Sequence, residues 1–497
     1  MMRSVCLLFI NLQSGSTDFD KRWHNLFVVT GFSRTALLTV FLGAFLMTAT
    51  AQTDSKFHIA GNHKNFTRLN SDNYSTSRTT TPAQEGIRLS TLNKIHSIVN
   101  QGIKIKAFPG CQILVMKDGK TVYNKCFGYY TYHKENKVKP TTMYDLASLS
   151  KTTGTLLAIM KLYDEKKLQL TDKASDFLPF LRGTNKADIT IEALLFHESG
   201  LPAGLPFYQL VIEKKKIPSL LGSLNMPMMS IPTGDPTLQY KPGWAAKKPS
   251  ENYPFQAADS LYINQQFHQA AMQMIANAPL KSKTYRYSDL NFILLKEIVE
   301  TITGMPMDQF LNQNFFIPMK MNYLAYLPLR SHPRDEIAPT MKKDFLRNQP
   351  LQGYVQDPDA ALFGGVSGNA GLFGNAKDVA MVYQMLLNHG TLNGKRFLSA
   401  ETCTLFTTKT SPDGRRGLGF DKPIPYNPLH SPCAPSAPAE VFGHTGYTGT
   451  CCWVDPSNQL IYVFLSNRTY PYDQVNKLAR LRIRPKIQEV IYKSLLK

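Results

Sequence analysis

The chain has 497 residues, enough for two or three domains or for one large α/β unit. Hydrophobic residues make up 43% and charged residues 19%, which excludes a disordered chain, and 31 Gly with 31 Pro exclude a collagen-like or low-complexity one. The formal net charge of +20 favours anionic partners: nucleic acid, a membrane surface or an anionic cell-wall polymer.

Residues 35–47 read TALLTVFLGAFLM, an uncharged run behind Arg34, followed by Thr48-Ala49-Thr50-Ala51-Gln52. The run is short for a hydrocarbon core of roughly 30 Å. With its small-x-small ending it predicts a cleaved signal peptide over 1–51; an uncleaved anchor is the alternative. No Cys stands at the cleavage site, which speaks against a lipoprotein. No later stretch reaches the roughly 18 apolar residues of a membrane helix. The expected location is therefore periplasmic or secreted, which disfavours nucleic acid as a partner and favours a small-molecule or peptidoglycan-derived substrate. The six later cysteines are too sparse for a disulfide scaffold, and no pair has zinc-ligand spacing.

Residues 52–85, rich in Ser, Thr and Asn, read as a disordered linker. A helix is expected near 86–100, with Leu89, Leu92, Ile95 and Val99 on one stripe. Residues 111–116 and 121–123 flank Lys117-Asp118-Gly119-Lys120 and predict an antiparallel hairpin. A two-residue turn at Asp118-Gly119 would set Cys111 and Cys126 directly opposite, either as a disulfide or as two small packed side chains.

Helical periodicity begins near 148, with Leu156, Ile159, Met160 and Tyr163 on one face. A short helix over 191–196 is stopped by Gly200 and Pro202. Residues 202–255 are Pro-rich and irregular, the kind of long loop that borders a cleft. Helices follow at 260–278 and 289–302, then strands at 451–455 and 459–466 and a closing helix over 473–496. Strands at both ends and helices between predict an α/β (α+β) fold. It has one central antiparallel sheet built from the N- and C-terminal segments, flanked by helices, with a helical insertion over about 155–360.

Three motifs carry the chemistry. Ser148-Leu149-Ser150-Lys151 at a helix start sets a hydroxyl and an amine one turn apart on one face. A neutral lysine amine can take the serine proton, and the helix N-terminus offers N–H groups to an oxyanion. Such a spacing also arises by chance, as Ser494-Leu495-Leu496-Lys497 does. Tyr287-Ser288-Asp289 precedes an apolar helix, where Ser288 or Asp289 would serve as an N-cap while the Tyr287 phenol could relay protons. Gly443-His444-Thr445-Gly446, followed by Tyr447, reads alone as a Gly-flanked turn before a strand.

In that order, the three motifs resemble the serine β-lactamase and penicillin-binding-protein superfamily, most closely class C β-lactamases and the related esterases and D-amino-acid peptidases. The resemblance spans about 86–497 and includes the blocks Tyr144 to Lys151, Leu194 to Pro202, Gly364 to Phe373 and Phe442 to Gly449. The later blocks are also similar to the β-lactamase-like domain found behind a family 3 glycosidase. The glycosidase itself is not expected, because fewer than 100 residues separate the leader from Cys111.

The resemblance implies an all-helical subdomain beside the sheet, and no metal or organic cofactor. It makes Ser148 the acylated nucleophile, Lys151 its base, Tyr287 the proton relay and His444 the replacement for the usual lysine. The N–H groups of Ser148 and Tyr447 become the oxyanion hole, with Asp289, Thr445 and Gly446 on the substrate side. Asp289 stands where the family has Asn and favours a protonated lysine. His444 removes a permanent cation and weakens the grip on a substrate carboxylate.

The expected function is an exported serine hydrolase working through an acyl-enzyme on an ester or D-amino-acid amide, with peptidoglycan stem peptide or a β-lactam as substrate. The alternative is a catalytically idle module that holds cell-wall fragments. An α/β-hydrolase would need a Gly-x-Ser-x-Gly elbow, and Gly365-Val366-Ser367-Gly368-Asn369 fails at its last position. Metal hydrolysis would need a ligand cluster that the sequence does not present.

Overall fold

The computed structural model describes residues 79–213, 239–473 and 475–496. The leader expected at 1–51, most of the expected linker, and residues 214–238 of the Pro-rich loop lie outside the described residues.

Five strands form one antiparallel sheet: β1 (Gly110–Lys117), β2 (Lys120–Gly128), β3 (Phe442–Gly446), β4 (Thr450–Asp455) and β5 (Leu460–Ser466), in the order β3-β4-β5-β1-β2. The C-terminal β5 lies beside the N-terminal β1, with Leu114 opposite Val463. Both faces of β1 are covered, so Ile113 to Met116 run apolar without polar alternation. Leu114 and Met116 join one core cluster, while Cys111, Ile113 and Val115 join the other. Helix α1 (Lys94–Lys104) and the closing helix at Ile483–Ser494 cover the second face through Ile95, Val99, Ile487 and Ile491. The first face packs against the helix Ala376–Leu387, and α2 (Leu156–Asp164) lies in the same larger core with the insertion.

The hairpin turn forms as expected, with Asp118 and Gly119 both at positive φ. The cysteine pairing does not. Met116 faces Thr121 but Val115 faces Tyr123, so Val122 is an extra residue in β2. This bulge slips the register by one, leaving Cys111 opposite Phe127 and Cys126 opposite Gln112. Side chains alternate along a strand, so the slip places Cys111 and Cys126 on opposite faces of the sheet, both as free thiols.

The N-terminal segment is ordered earlier than expected. Thr80 N–H donates to Thr121 O at 3.2 Å, and Glu85 pairs with Lys120 at 2.8 Å, so residues 79–85 dock on β2. Pro82–Glu85 make a separate turn closed by Gly86 at φ +67°, and helix begins only at Leu89.

The insertion is helical with two small three-stranded sheets: Tyr144–Asp145, Leu372–Gly374 and Ala325–Tyr326 in one, Ala245–Ala246, Leu261–Ile263 and Phe255–Ala258 in the other. The strand at Leu261–Ile263 delays the helix expected at 260 to Gln266–Asn277. Two helices matter for the site: α3 (Ile191–Phe196) and α4 (Asp289–Thr303). His197 itself ends α3, in the left-handed region at φ +58°. The closing segment is two helices, Lys477–Arg480 and α5 (Ile483–Ser494), because Arg482 between them is left-handed at φ +52°. No helix among the described residues is long and apolar enough to cross a membrane.

Candidate active site

Ser148 sits in the tight turn Ala147–Leu149, which runs on through a widened turn at Lys151–Thr155 into α2. Helical spacing brings Lys151 back beside it, and Lys151 Nζ donates to Ser148 Oγ at 2.9 Å. The same ammonium donates to Asp289 Oδ1 at 2.6 Å and to Asn369 O at 2.9 Å. All three N–H donors are therefore used, as only the charged form can use them. Burial would lower the Lys151 pKa, but the charges and hydrogen bonds of Asp289 and Tyr287 outweigh it and hold the pKa above the ordinary value. The substitution of Asp for Asn at 289 thus has the physical consequence its charge predicts.

The nucleophile turn is stitched to the hairpin of β3 and β4. Thr448 Oγ1 donates to Asp145 O at 2.7 Å and Thr450 Oγ1 to Leu146 O at 2.8 Å, while Asp145 Oδ1 accepts from Ala147 N–H at 2.8 Å. Gly446 makes this approach possible. A Cβ there would lie 2.0 Å from Thr450 Oγ1 and 2.3 Å from Leu146 O.

Tyr287 enters from the other side, just ahead of α4. Lys151 Nζ lies 5.1 Å from its ring centroid; burial raises the Tyr287 pKa, opposed by the Lys151 charge. Its ring lies on that of His197, 4.6 Å between centroids at 31°. His197 is buried, and its Nδ1 accepts from Ser288 N–H at 3.2 Å and from the Asn291 amide at 3.0 Å. Burial, followed by the Arg416 charge, holds its pKa well below the ordinary value, so the ring is neutral. Ser288 occupies the N-cap position of α4 without capping it: its hydroxyl donates to Pro202 O at 2.6 Å.

The His-Thr-Gly motif is part of edge strand β3 rather than a turn ahead of a strand. His444 Nδ1–H donates to Thr445 O at 2.7 Å, and its Nε2 has no partner among the described residues. Burial, then the Arg416 charge, pushes its pKa down to about 3 against the pull of Asp421, so this imidazole is neutral too. Its centroid is 6.0 Å from that of Tyr287. The cation at this wall is Arg416, buried, 3.1 Å from Asp421 and 6.0 Å from the Tyr287 ring. Sequence reasoning missed Arg416 and Asp421, since two arginines before a Gly-rich turn make no recognisable motif. Asp357 was missed as well, and its carboxylate accepts from Ala360 N–H at 2.8 Å and from the Asn369 amide at 3.3 Å.

An open cleft of ≈ 340 Å³ gathers these groups. Ser148, Tyr287, Asp289, His444, Thr445, Gly446 and Tyr447 line it, and Lys151 lies fully buried against its Ser148 wall. The Tyr447 N–H makes no hydrogen bond to another described residue. Among the described residues, no three His, Cys, Asp or Glu side chains converge as metal ligands. A hydroxyl in contact with an amine, in a cleft that a phenol also lines, beside the unpaired Tyr447 N–H, is an arrangement for acyl transfer to serine.

A family model described as Beta-lactamase matches residues 95–484. A protein of Escherichia coli (strain K12) that carries the provisional name D-alanyl-D-alanine carboxypeptidase is 29% identical over 418 residues, 78% of this chain and 85% of its own. The N-acetylmuramyl-L-alanine amidase of Bacillus subtilis (strain 168) is 27% identical over 412 residues, 76% and 81% of the two chains. Among solved structures, EstCE1, a hydrolase with promiscuous acyltransferase activity, is similar at TM-score 0.56 and 20% identity, covering 81% of this chain and 99% of that one. A class C beta lactamase is similar at TM-score 0.54 and 16% identity, covering 82% and 98%. Motifs, sheet topology and a family match that spans most of the sequence agree: the chain belongs to the β-lactamase family of serine hydrolases, on the fold of class C β-lactamases and penicillin-binding proteins.

Proposed function

We propose that this chain is an exported hydrolase whose Ser148 takes the acyl group of an amide in a peptidoglycan stem peptide and passes it to water. The observation that carries the reading is the 2.9 Å contact of Lys151 with Ser148 in the wall of an open cleft, with the Tyr287 ring 5.1 Å from the same Nζ. Ser148 Oγ attacks the carbonyl and its proton goes to the Lys151 amine, which must first have shed its third proton. The Ser148 and Tyr447 N–H groups hold the oxyanion, and the Tyr287 hydroxyl delivers a proton to the departing amine. Water then hydrolyses the ester by the reverse path.

The substrate class rests on other support. Two relatives bear names that refer to amide bonds of cell-wall peptides, the expected leader directs the chain to that compartment, and the basic balance suits an anionic wall polymer. Labelled penicillin and a fluorophosphonate provide the test of the nucleophile. At least one is expected to attach covalently to the wild type and neither to Ser148→Ala; equal labelling of the mutant overturns the reading. Mass spectrometry of muropeptides after incubation then identifies the bond cut.

One observation favours a second reading, an idle module that binds muropeptides: Lys151 is held as an ammonium by Asp289. Turnover of any muropeptide by the wild type removes it.

A further inference from the structure

Two arginines that belong to no motif grip the peptide groups on either side of Tyr447. Arg484, on the far-face helix α5, reaches around the end of the sheet into the cleft lining. Its Nη1 donates to Gly446 O at 3.3 Å and to Thr450 O at 2.6 Å. Arg468, just beyond β5, donates Nε–H to Tyr447 O at 2.7 Å and Nη1–H to Asp473 Oδ1 at 2.9 Å. Its guanidinium lies 4.2 Å over the Tyr447 ring, and the Tyr447 hydroxyl donates to the same Asp473.

The Gly446 carbonyl and the Tyr447 N–H are two ends of one planar trans peptide and point in opposite directions. Holding the carbonyl end therefore aims the N–H end, the end left without a partner at the cleft. A cation on the carbonyl oxygen also draws electron density from the amide and makes its N–H a stronger donor. Arg484 has no carboxylate partner among the described residues, unlike Arg468 with Asp473. Burial lowers its pKa. This half-buried guanidinium is turned on two backbone carbonyls, one of them the far end of the Tyr447 amide, with no acid among the described residues beside it.

We propose that Arg484 and Arg468 are positioning residues for the oxyanion hole: Arg484 orients and polarises the Gly446–Tyr447 peptide so that the Tyr447 N–H grips the oxyanion, and Arg468, by holding the Tyr447 carbonyl, fixes the peptide that follows and with it the orientation of Tyr447. The inference rests on the reading of Ser148 as the acylated residue. It assigns the strength of the oxyanion hole to a helix on the opposite face of the sheet.

The test is an infrared difference spectrum of the acyl-enzyme formed from a para-nitrophenyl ester isotope-labelled at its acyl carbonyl. Failure of the wild type to give any Ser148 acyl band overturns the serine reading itself. Given that band, Arg484→Gln is expected to move it to higher wavenumber, because a weaker hole polarises the carbonyl less. The same variant should lower kcat roughly tenfold with KM little changed, a fraction of the loss on deleting an oxyanion donor outright. Arg484→Lys and Arg468→Lys keep the charge without the planar fork, and smaller shifts of the same sign are expected. They are read in the same way should Arg484→Gln not fold. A folded variant whose band and kcat match the wild type overturns the proposal, as does one that loses thermal stability with the band unmoved.

Discussion

Lys151, beside the cleft, and Lys186, within the helical insertion, are each no more than 1% exposed, yet their surroundings drive them apart. Lys186 donates to Asn185 Oδ1 at 2.6 Å, to Ala276 O at 2.9 Å and to Ala278 O, closing the C-terminal end of Gln266–Asn277. It meets no carboxylate among the described residues, and burial lowers its pKa. Lys151 is buried as deeply, but one carboxylate at 2.6 Å reverses the direction. Burial alone therefore moves a lysine towards the free amine that a base must be, and Asp289 takes that advantage away at the site.

Methionine in place of each lysine separates the two roles. Lys151→Met is expected to slow acylation of Ser148 by on the order of 10³-fold or more, since members of a catalytic unit fail together. Lys186→Met should leave acylation intact and strand the Ala276 and Ala278 carbonyls, costing about 1–3 kcal/mol for each group left unsatisfied, read from urea unfolding. Normal acylation by a folded Lys151→Met variant would break the contrast.

Asp289→Asn sharpens it. The wild-type Lys151 pKa is raised, so the amine fraction, and with it the acylation rate, climbs only as pH rises past neutrality. Removing the carboxylate lowers that pKa, moves the rising limb to lower pH and raises the rate near neutrality by roughly tenfold. An unshifted limb would mean that Lys151 is not the titrating base.

The smallest effect is expected at His444. Its pKa of about 3 keeps it neutral throughout the range where histidines ordinarily titrate. The ratio of His444→Gln to wild-type rates should therefore stay flat between about pH 5 and 8 and differ from one only severalfold. A bend in that ratio would show that the imidazole carries charge there.

Much of the site was legible because its members announce themselves locally. The Ser148-to-Lys151 spacing is a property of helical geometry, and Tyr287 and His444 stand in short motifs whose joint order points to one family. What stayed hidden depends on distant partners. Nothing near Arg416 in the chain says that it will face Tyr287, and nothing near Arg484 says that it will reach Gly446 from the other side of the sheet. The Cys111 and Cys126 expectation failed for a related reason. The turn at Asp118-Gly119 was readable, but the extra residue at Val122 was not, and one residue is enough to exchange the faces of a strand.

The order of strands, helices and motifs, and the charge that Asp289 would bring, follow from the sequence alone, because periodicity, turn chemistry and residue type act over a few neighbours. The state of each ionisable group belongs to the tertiary structure. Lys151 meets Asp289 across 138 residues and Asn369 across 218, and His444 is stripped of its charge by burial beside Arg416. Such encounters arise only when the chain closes on itself, because desolvation and Coulomb forces depend on distance in space and not on distance along the chain.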